Sequence, residues 1–324
     1  MTRDVKRGHG LEIASRSPYN HSVRKGRLSV VFAVLAAPLL MSACEKKKPT
    51  DTGAITAMDH AADDKGPVDK TPLTGVDTSQ LQGEKLDTFY KLVGSLKSPC
   101  GKSHSLRVSF TQDTACKRAP FAVKYVLAML EDELPEAKVR ELYTDKYEAS
   151  DKAAKIDVSK APRVGKEDAP IKLVEFYDYA CPHCAAFAPI MAKVAADNDG
   201  KVVEYFMQFP LEGTHPDSRS AAQATLAAAS LGKFKEMHEK LFAQSPRHDK
   251  AAVTGYAAEL GLDAAKFAAA YEAAGAQVTS DLDQGRANEV DSTPTLFFND
   301  RRYKGPISPE YISMWIEEEL AVNR

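Results

Sequence analysis

From Ile156 onward the chain alternates short apolar runs with longer stretches of helical spacing. Ile171-Lys-Leu-Val-Glu-Phe-Tyr177 is rich in β-branched and aromatic residues and predicts a strand. Val202 to Phe209 predicts a second strand, and Thr295 to Asn299, directly after Pro294, a third. Arg301 to Lys304 offers a short fourth. An alanine-rich helical stretch reaching about Asn198 separates the first two strands. From about Asp217 to Glu289 the pattern is helical, with Gly232, Pro246, Gly261 and Gly275 as expected breaks. Tyr311, Ile312, Trp315 and Ile316 mark the inner face of a closing helix over Pro309 to Leu320. A β-α-β half, a helical insertion over about 211–290 and a β-β-α half make an α/β domain spanning 151–324.

Upstream the period is helical and the segment small. Leu86, Phe89, Tyr90 and Val93 form one stripe, and Phe121, Tyr125 and Met129 a second. Pro135 suits the first turn of a third helix with Val139, Leu142, Tyr143 and Tyr147 on one face. The short gap between the last two predicts an antiparallel hairpin, so residues 76–150 read as a small α-helical domain. Residues 44–75, rich in Lys, Asp, Pro, Gly and Thr without an apolar period, read as a flexible tether.

Residues 1–43 have the form of a secretory leader. Arg24, Lys25 and Arg27 precede a mostly apolar run from Leu28 to Met41, followed by Ser42-Ala43-Cys44. Met41-Ser42-Ala43-Cys44 resembles a bacterial lipobox, which implies lipidation of Cys44 and attachment to a membrane surface by several acyl chains. The expected location is the bacterial cell envelope, lipid-anchored and facing the periplasm or extracytoplasmic space. The net charge of -2 becomes more negative without the basic leader, which argues against a nucleic-acid partner. With Cys44 set aside, Cys100, Cys116, Cys181 and Cys184 form an even set, as suits an oxidising compartment.

Cys181-Pro-His-Cys184 stands where a predicted strand gives way to a helix. A thiolate is the species that attacks a disulfide, and a helix N-terminus supplies free N–H groups and a positive dipole end to stabilise it. Pro182 fits the first turn, and His183 can add a donor or positive charge. Cys184, one turn on, can close the ring and expel a mixed-disulfide partner. Haem attachment would need His where Ala185 stands, and a structural zinc site would need a second ligand pair, which is missing after Cys184. No cofactor is expected.

Phe176-Tyr-Asp-Tyr-Ala-Cys-Pro-His-Cys184, Phe209-Pro-Leu-Glu with His215-Pro216, Gly232-Lys-Phe234 with Met237-His238 and Leu241-Phe242, and Ser292-Thr-Pro-Thr-Leu-Phe-Phe-Asn299 stand in the order seen in DsbA-like oxidoreductases. The resemblance covers about residues 165–324. It implies a thioredoxin fold with an inserted helical domain and thiol:disulfide oxidoreductase activity at Cys181 and Cys184. By the same resemblance Thr293-Pro294 is a cis-proline loop beside the cysteines, and Glu175 a buried acid that shuttles a proton. Phe176, Tyr177 and Tyr179 are candidates for an apolar substrate surface or for plain core. The implied partners are exported protein substrates with cysteines, a membrane redox partner of the DsbB type, and the membrane itself through the lipid.

Thr293 departs from DsbA, which has Val there, and leaves the direction of exchange open between oxidase and reductase or isomerase, for example in cytochrome c maturation. A tethered binding module or copper carrier is the non-enzymatic alternative. Cys100 and Cys116 admit three readings: a structural disulfide, a second redox pair relaying electrons to or from Cys181, or a metal site with His104, which lacks a fourth ligand.

Overall fold

The computed structural model describes residues 67–149 and 153–322. The predicted leader and the lipidation candidate Cys44 lie outside the described residues. Four helices come first, α1 (Glu84–Ser95), α2 (Leu106–Thr111), α3 (Ala119–Glu131) and α4 (Glu136–Tyr147). The expected stripes form their core: Phe89 and Val93 of α1, Tyr125 and Met129 of α3, and Val139 and Tyr143 of α4 share one buried cluster. The sequence pattern does not show α2, whose six residues are too few for a period; Ser105 caps it by accepting from the Val108 N–H. The Cys100–Cys116 disulfide closes the loop that contains α2.

The expected tether ends sooner than residue 75. Leu73 is buried in the helical cluster, Arg107 pairs with Asp69 at 2.8 Å, and Arg107 also donates to the Thr71 carbonyl. One buried leucine and one arginine hold this segment, and neither makes a periodic signal.

The mixed sheet contains β1 (Arg163–Val164), β2 (Ile171–Tyr177), β3 (Val202–Gln208), β4 (Thr295–Phe298) and β5 (Arg301–Arg302), in the order β1-β3-β2-β4-β5. β2 and β3 pair in parallel, and the other neighbours are antiparallel. The parallel pair needs a crossover, supplied by α5 (Pro182–Asp197). Between β3 and β4 are inserted α6 (Ser218–Ser230), α7 (Phe234–Gln244), α8 (Lys250–Glu259) and α9 (Ala264–Ala287); α10 (Pro309–Val322) closes the chain. One sheet face buries Ile171 and Leu173 against Phe187 of α5 and Trp315 of α10. The other buries Val174, Phe176 and Met207 against Ala222 of α6 and Val278 of α9. Both faces being covered explains why β2 and β3 read as continuous apolar runs.

Gly232, Pro246 and Gly261 fall between helices as expected, but Gly275 lies inside α9. Gly275 faces α6, where a Cβ would come within 3.3 Å of the end of the Gln223 side chain, and the helix runs through it without a break. At Gly285, also on α9, a Cβ would stand 2.6 Å from the Phe209 ring.

The N-terminal helices are bound to α10 by buried charge as well as by apolar contact. Tyr311 joins their apolar cluster, and its hydroxyl donates to Asp132 at 2.7 Å. Glu318 accepts from Lys146 at 2.9 Å and from Arg118 at 2.5 Å, while Arg301 reaches Glu319 at 2.6 Å. Lys146 also sits 3.8 Å over the Trp315 ring, and burial pushes its ammonium down to about 8.

Candidate active site

β2 ends at Tyr177, and the turn after it carries the cysteines into α5. The Asp178 carboxylate shapes that turn, accepting from the Ala180 N–H at 2.8 Å, the Leu211 N–H at 2.9 Å and His215 Nδ1 at 2.8 Å. Cys181 then takes the N-cap position with extended backbone, φ -77° and ψ 120°. Pro182 follows at the first turn, where its missing N–H costs nothing. Both Cys181 and Cys184 are buried thiols.

Cys181 Sγ lies 3.5 Å from the Thr293 carbonyl oxygen, and the Thr293–Pro294 peptide bond is cis. The structure thus brings Cys181, Cys184, Thr293 and Pro294 together. The Cys181 thiol is pulled down to about 5, foremost by the Cys184 S–H donating to its thiolate. The Thr293 hydroxyl, buried without another partner, adds to this, as do the backbone N–H groups of Cys184 and His183. Burial pushes Cys184 the other way, and its sulfur accepts from the Asp178 N–H at 3.5 Å. His183 therefore bears on Cys181 through its main chain while its side chain is exposed. One acidic and one basic thiol, a helical turn apart, suit an attacking and a resolving sulfur.

Glu175 is buried on β2, on the face covered by α5, with 5% of its surface exposed. Glu204 on β3, 4% exposed, is its neighbour on that face, because Leu173 pairs with Glu204 and Glu175 with Phe206. Burial raises both carboxyls, Glu204 the more. Both border a groove of about 530 Å³ between α5 and α7, walled by Met191, Phe206, Phe234 and Phe242. Glu204 is not evident from the sequence. Its one signal is an acid inside the apolar run of β3, and register alone sets it beside Glu175.

Tyr177 and Tyr179 are core residues and do not form a substrate surface. The two hydroxyls meet at 3.0 Å, and Tyr179 also bonds Thr225 and His238 Nδ1, each at 2.9 Å. Phe176 is buried on the opposite sheet face. A hollow of about 270 Å³ opens at Pro294, lined by Phe187, Tyr303 and Ile307 among others.

A thioredoxin family model matches residues 157–318, half of the chain. Disulfide bond formation protein D of Bacillus subtilis is 30% identical over 170 residues, covering 49% of this chain and 77% of that protein. A Na(+)/H(+) antiporter, NhaA 3 of Salinispora tropica, is 33% identical over 163 residues, 49% of this chain. The chain spans about a quarter of the length of that relative (25%) and of the similar mycobacterial antiporters (24%). Among solved structures, oxidised BdbD from Bacillus subtilis has a TM-score of 0.48 and 28% identity, covering 53% of this chain and 99% of that one. With half its length matched by the family model, and three quarters of a 30% identical disulfide bond formation protein covered, the chain belongs to the thioredoxin family.

Proposed function

We propose that the protein oxidises cysteine pairs of exported proteins outside the cytoplasm, with Cys181 as the attacked and attacking sulfur and Cys184 as the resolving one. The observation that carries this is the acidified Cys181 at the N-cap of α5 against the carbonyl of Thr293. Stabilising the Cys181 thiolate favours the reduced form and makes the disulfide a stronger oxidant. A substrate thiolate attacks Cys181 Sγ, the Cys181–Cys184 bond breaks, and Cys184 leaves with the electron pair and takes a proton. A second substrate thiolate then attacks the mixed disulfide and releases Cys181 as thiolate. Pro294 and Thr293 lie where they can align the substrate backbone, and Pro182 and His183 present the helix N-terminus.

Reoxidation by a membrane partner of the DsbB type completes the cycle. The lipobox at Cys44 supports a lipid-anchored protein on the extracytoplasmic side of the envelope; among the described residues no helix is long and apolar enough to cross a membrane. The Cys100–Cys116 bond is assigned a bracing role, worth about 3 kcal/mol for a loop of this size. Thr293 standing where DsbA has Val keeps reduction or isomerisation as the second direction, although its hydroxyl, by stabilising the Cys181 thiolate, adds to the oxidising side. The test is oxidation of a reduced, unfolded protein by the disulfide form, with the Cys181/Cys184 potential measured beside it. Rapid oxidation that Cys181→Ala abolishes supports the proposal. A potential as reducing as thioredoxin's would reject the oxidase direction.

A further inference from the structure

Whenever Cys184 acts as the resolving sulfur its proton must go to a base, and Glu175 is the nearby buried acid; this role for Glu175 rests on the thiol–disulfide exchange proposed for Cys181 and Cys184. Glu175 and Glu204 are buried side by side, and no ion pair among the described residues involves either. Two adjacent buried carboxylates without a cation cannot both be ionised. Register sets the Glu204 carboxyl beside that of Glu175, within reach of a hydrogen bond between them, and Glu204 Oε1 is buried with no partner. An ionised carboxylate would leave that bare oxygen charged in an apolar wall, whereas a neutral carboxyl tolerates it far better.

We propose that Glu204 is a positioning residue, held neutral so that its O–H donates to Glu175 and keeps Glu175 ionised as the base for the Cys184 thiol. In the resolving step the Cys184 proton passes to the Glu175 carboxylate and the Cys184 sulfur attacks Cys181 Sγ. The Cys181–Cys184 bond forms, the mixed-disulfide bond breaks, and the leaving thiolate departs with the electron pair. In the reverse step Glu175 returns the proton to Cys184.

The other titratable groups around the pair do not supply the missing cation. Tyr177 and Tyr179 at the end of β2 have hydroxyls pushed upward by burial, and His238 on α7 is pushed down to about 4. Lys235 on the rim of the groove is solvent-exposed and pairs with Glu239 at 3.8 Å, and Asp199 also borders the groove. Burial raises Glu175, and the donated hydrogen bond from Glu204 opposes that rise.

The test is the pH profile of thionitrobenzoate release from a mixed disulfide on Cys181, followed by stopped flow in the wild type, Glu204→Leu and Glu204→Gln. Leucine cannot donate, so Glu175 should stay protonated to higher pH and the profile should move up by about 1 to 2 pH units. Glutamine donates through its amide and should restore the wild-type midpoint. A Leu profile that superposes on the wild type overturns the proposal. So does a Gln variant that behaves like Leu, which would mean that Glu204 must itself ionise. Thermal unfolding identifies a misfolded Leu variant, and in that event the Gln midpoint alone decides. A wild-type protein that shows no Cys184-dependent release would instead reject the exchange chemistry itself.

Discussion

The sulfur of Cys181 lies 3.5 Å from the carbonyl oxygen of Thr293, a residue 112 positions further along the chain. The contact joins the start of α5 to the loop before β4, the antiparallel neighbour of β2. Any group attacking Cys181 therefore meets the backbone of this loop as well.

The acidity of Cys181 has a measurable sign. Its thiol in the fold titrates at about 5, against 9.0 for the free group. A folded-state value below the unfolded one stabilises the reduced protein fully above about pH 9, and the benefit is lost as pH falls through about 5. Thiolate absorbance of reduced protein should rise with a midpoint near 5, and Thr293→Val should move that midpoint upward. Urea unfolding of the reduced form should weaken between pH 9 and pH 5 relative to the disulfide form. Equal pH dependence of the two forms would count against an acidified Cys181.

Asp178 should matter through the turn it shapes. Asp178→Ala leaves the Ala180 and Leu211 N–H groups and His215 without their acceptor. The expected loss is about 2 to 4 kcal/mol, read from urea denaturation at neutral pH. Asp178→Asn keeps an acceptor and should lose less; equal losses would refute the hydrogen-bond account.

The clasp between α10 and the N-terminal helices depends on Glu318. Glu318→Leu strands Lys146 against apolar neighbours, leaves Arg118 only its longer contact to Glu319 at 3.4 Å, and should cost about 3 to 5 kcal/mol. Adding Lys146→Met should recover part of that loss, because one stranded charge is gone. Chemical denaturation of the single and double variants measures both effects.

Two glycines of α9 should respond oppositely to alanine. At Gly285 the added methyl meets the Phe209 ring, boxed between α9 and the sheet, and should cost about 1 to 3 kcal/mol. At Gly275 it meets only the movable end of Gln223, so the helix preference for alanine should make the change neutral or stabilising by up to about 1 kcal/mol. Melting temperatures of the two variants would show the contrast, and equal destabilisation would contradict it.

Local pattern by itself determined the strand, helix and thiol chemistry of this protein. The run Ile171 to Tyr177, the Cys-Pro-His-Cys motif and the Thr293-Pro294 dipeptide are each complete within a few residues, so their signals survive without the fold. Cys100 and Cys116 were visible as a pair, and the structure shows them bonded. Only tertiary structure decided what parallel register and helix packing bring together. β3 pairing sets Glu204 beside Glu175, helix packing turns Gly275 from a break into a contact, and burial makes Tyr177 and Tyr179 core residues. Those outcomes depend on partners far away in the chain, and a one-dimensional period carries no record of them.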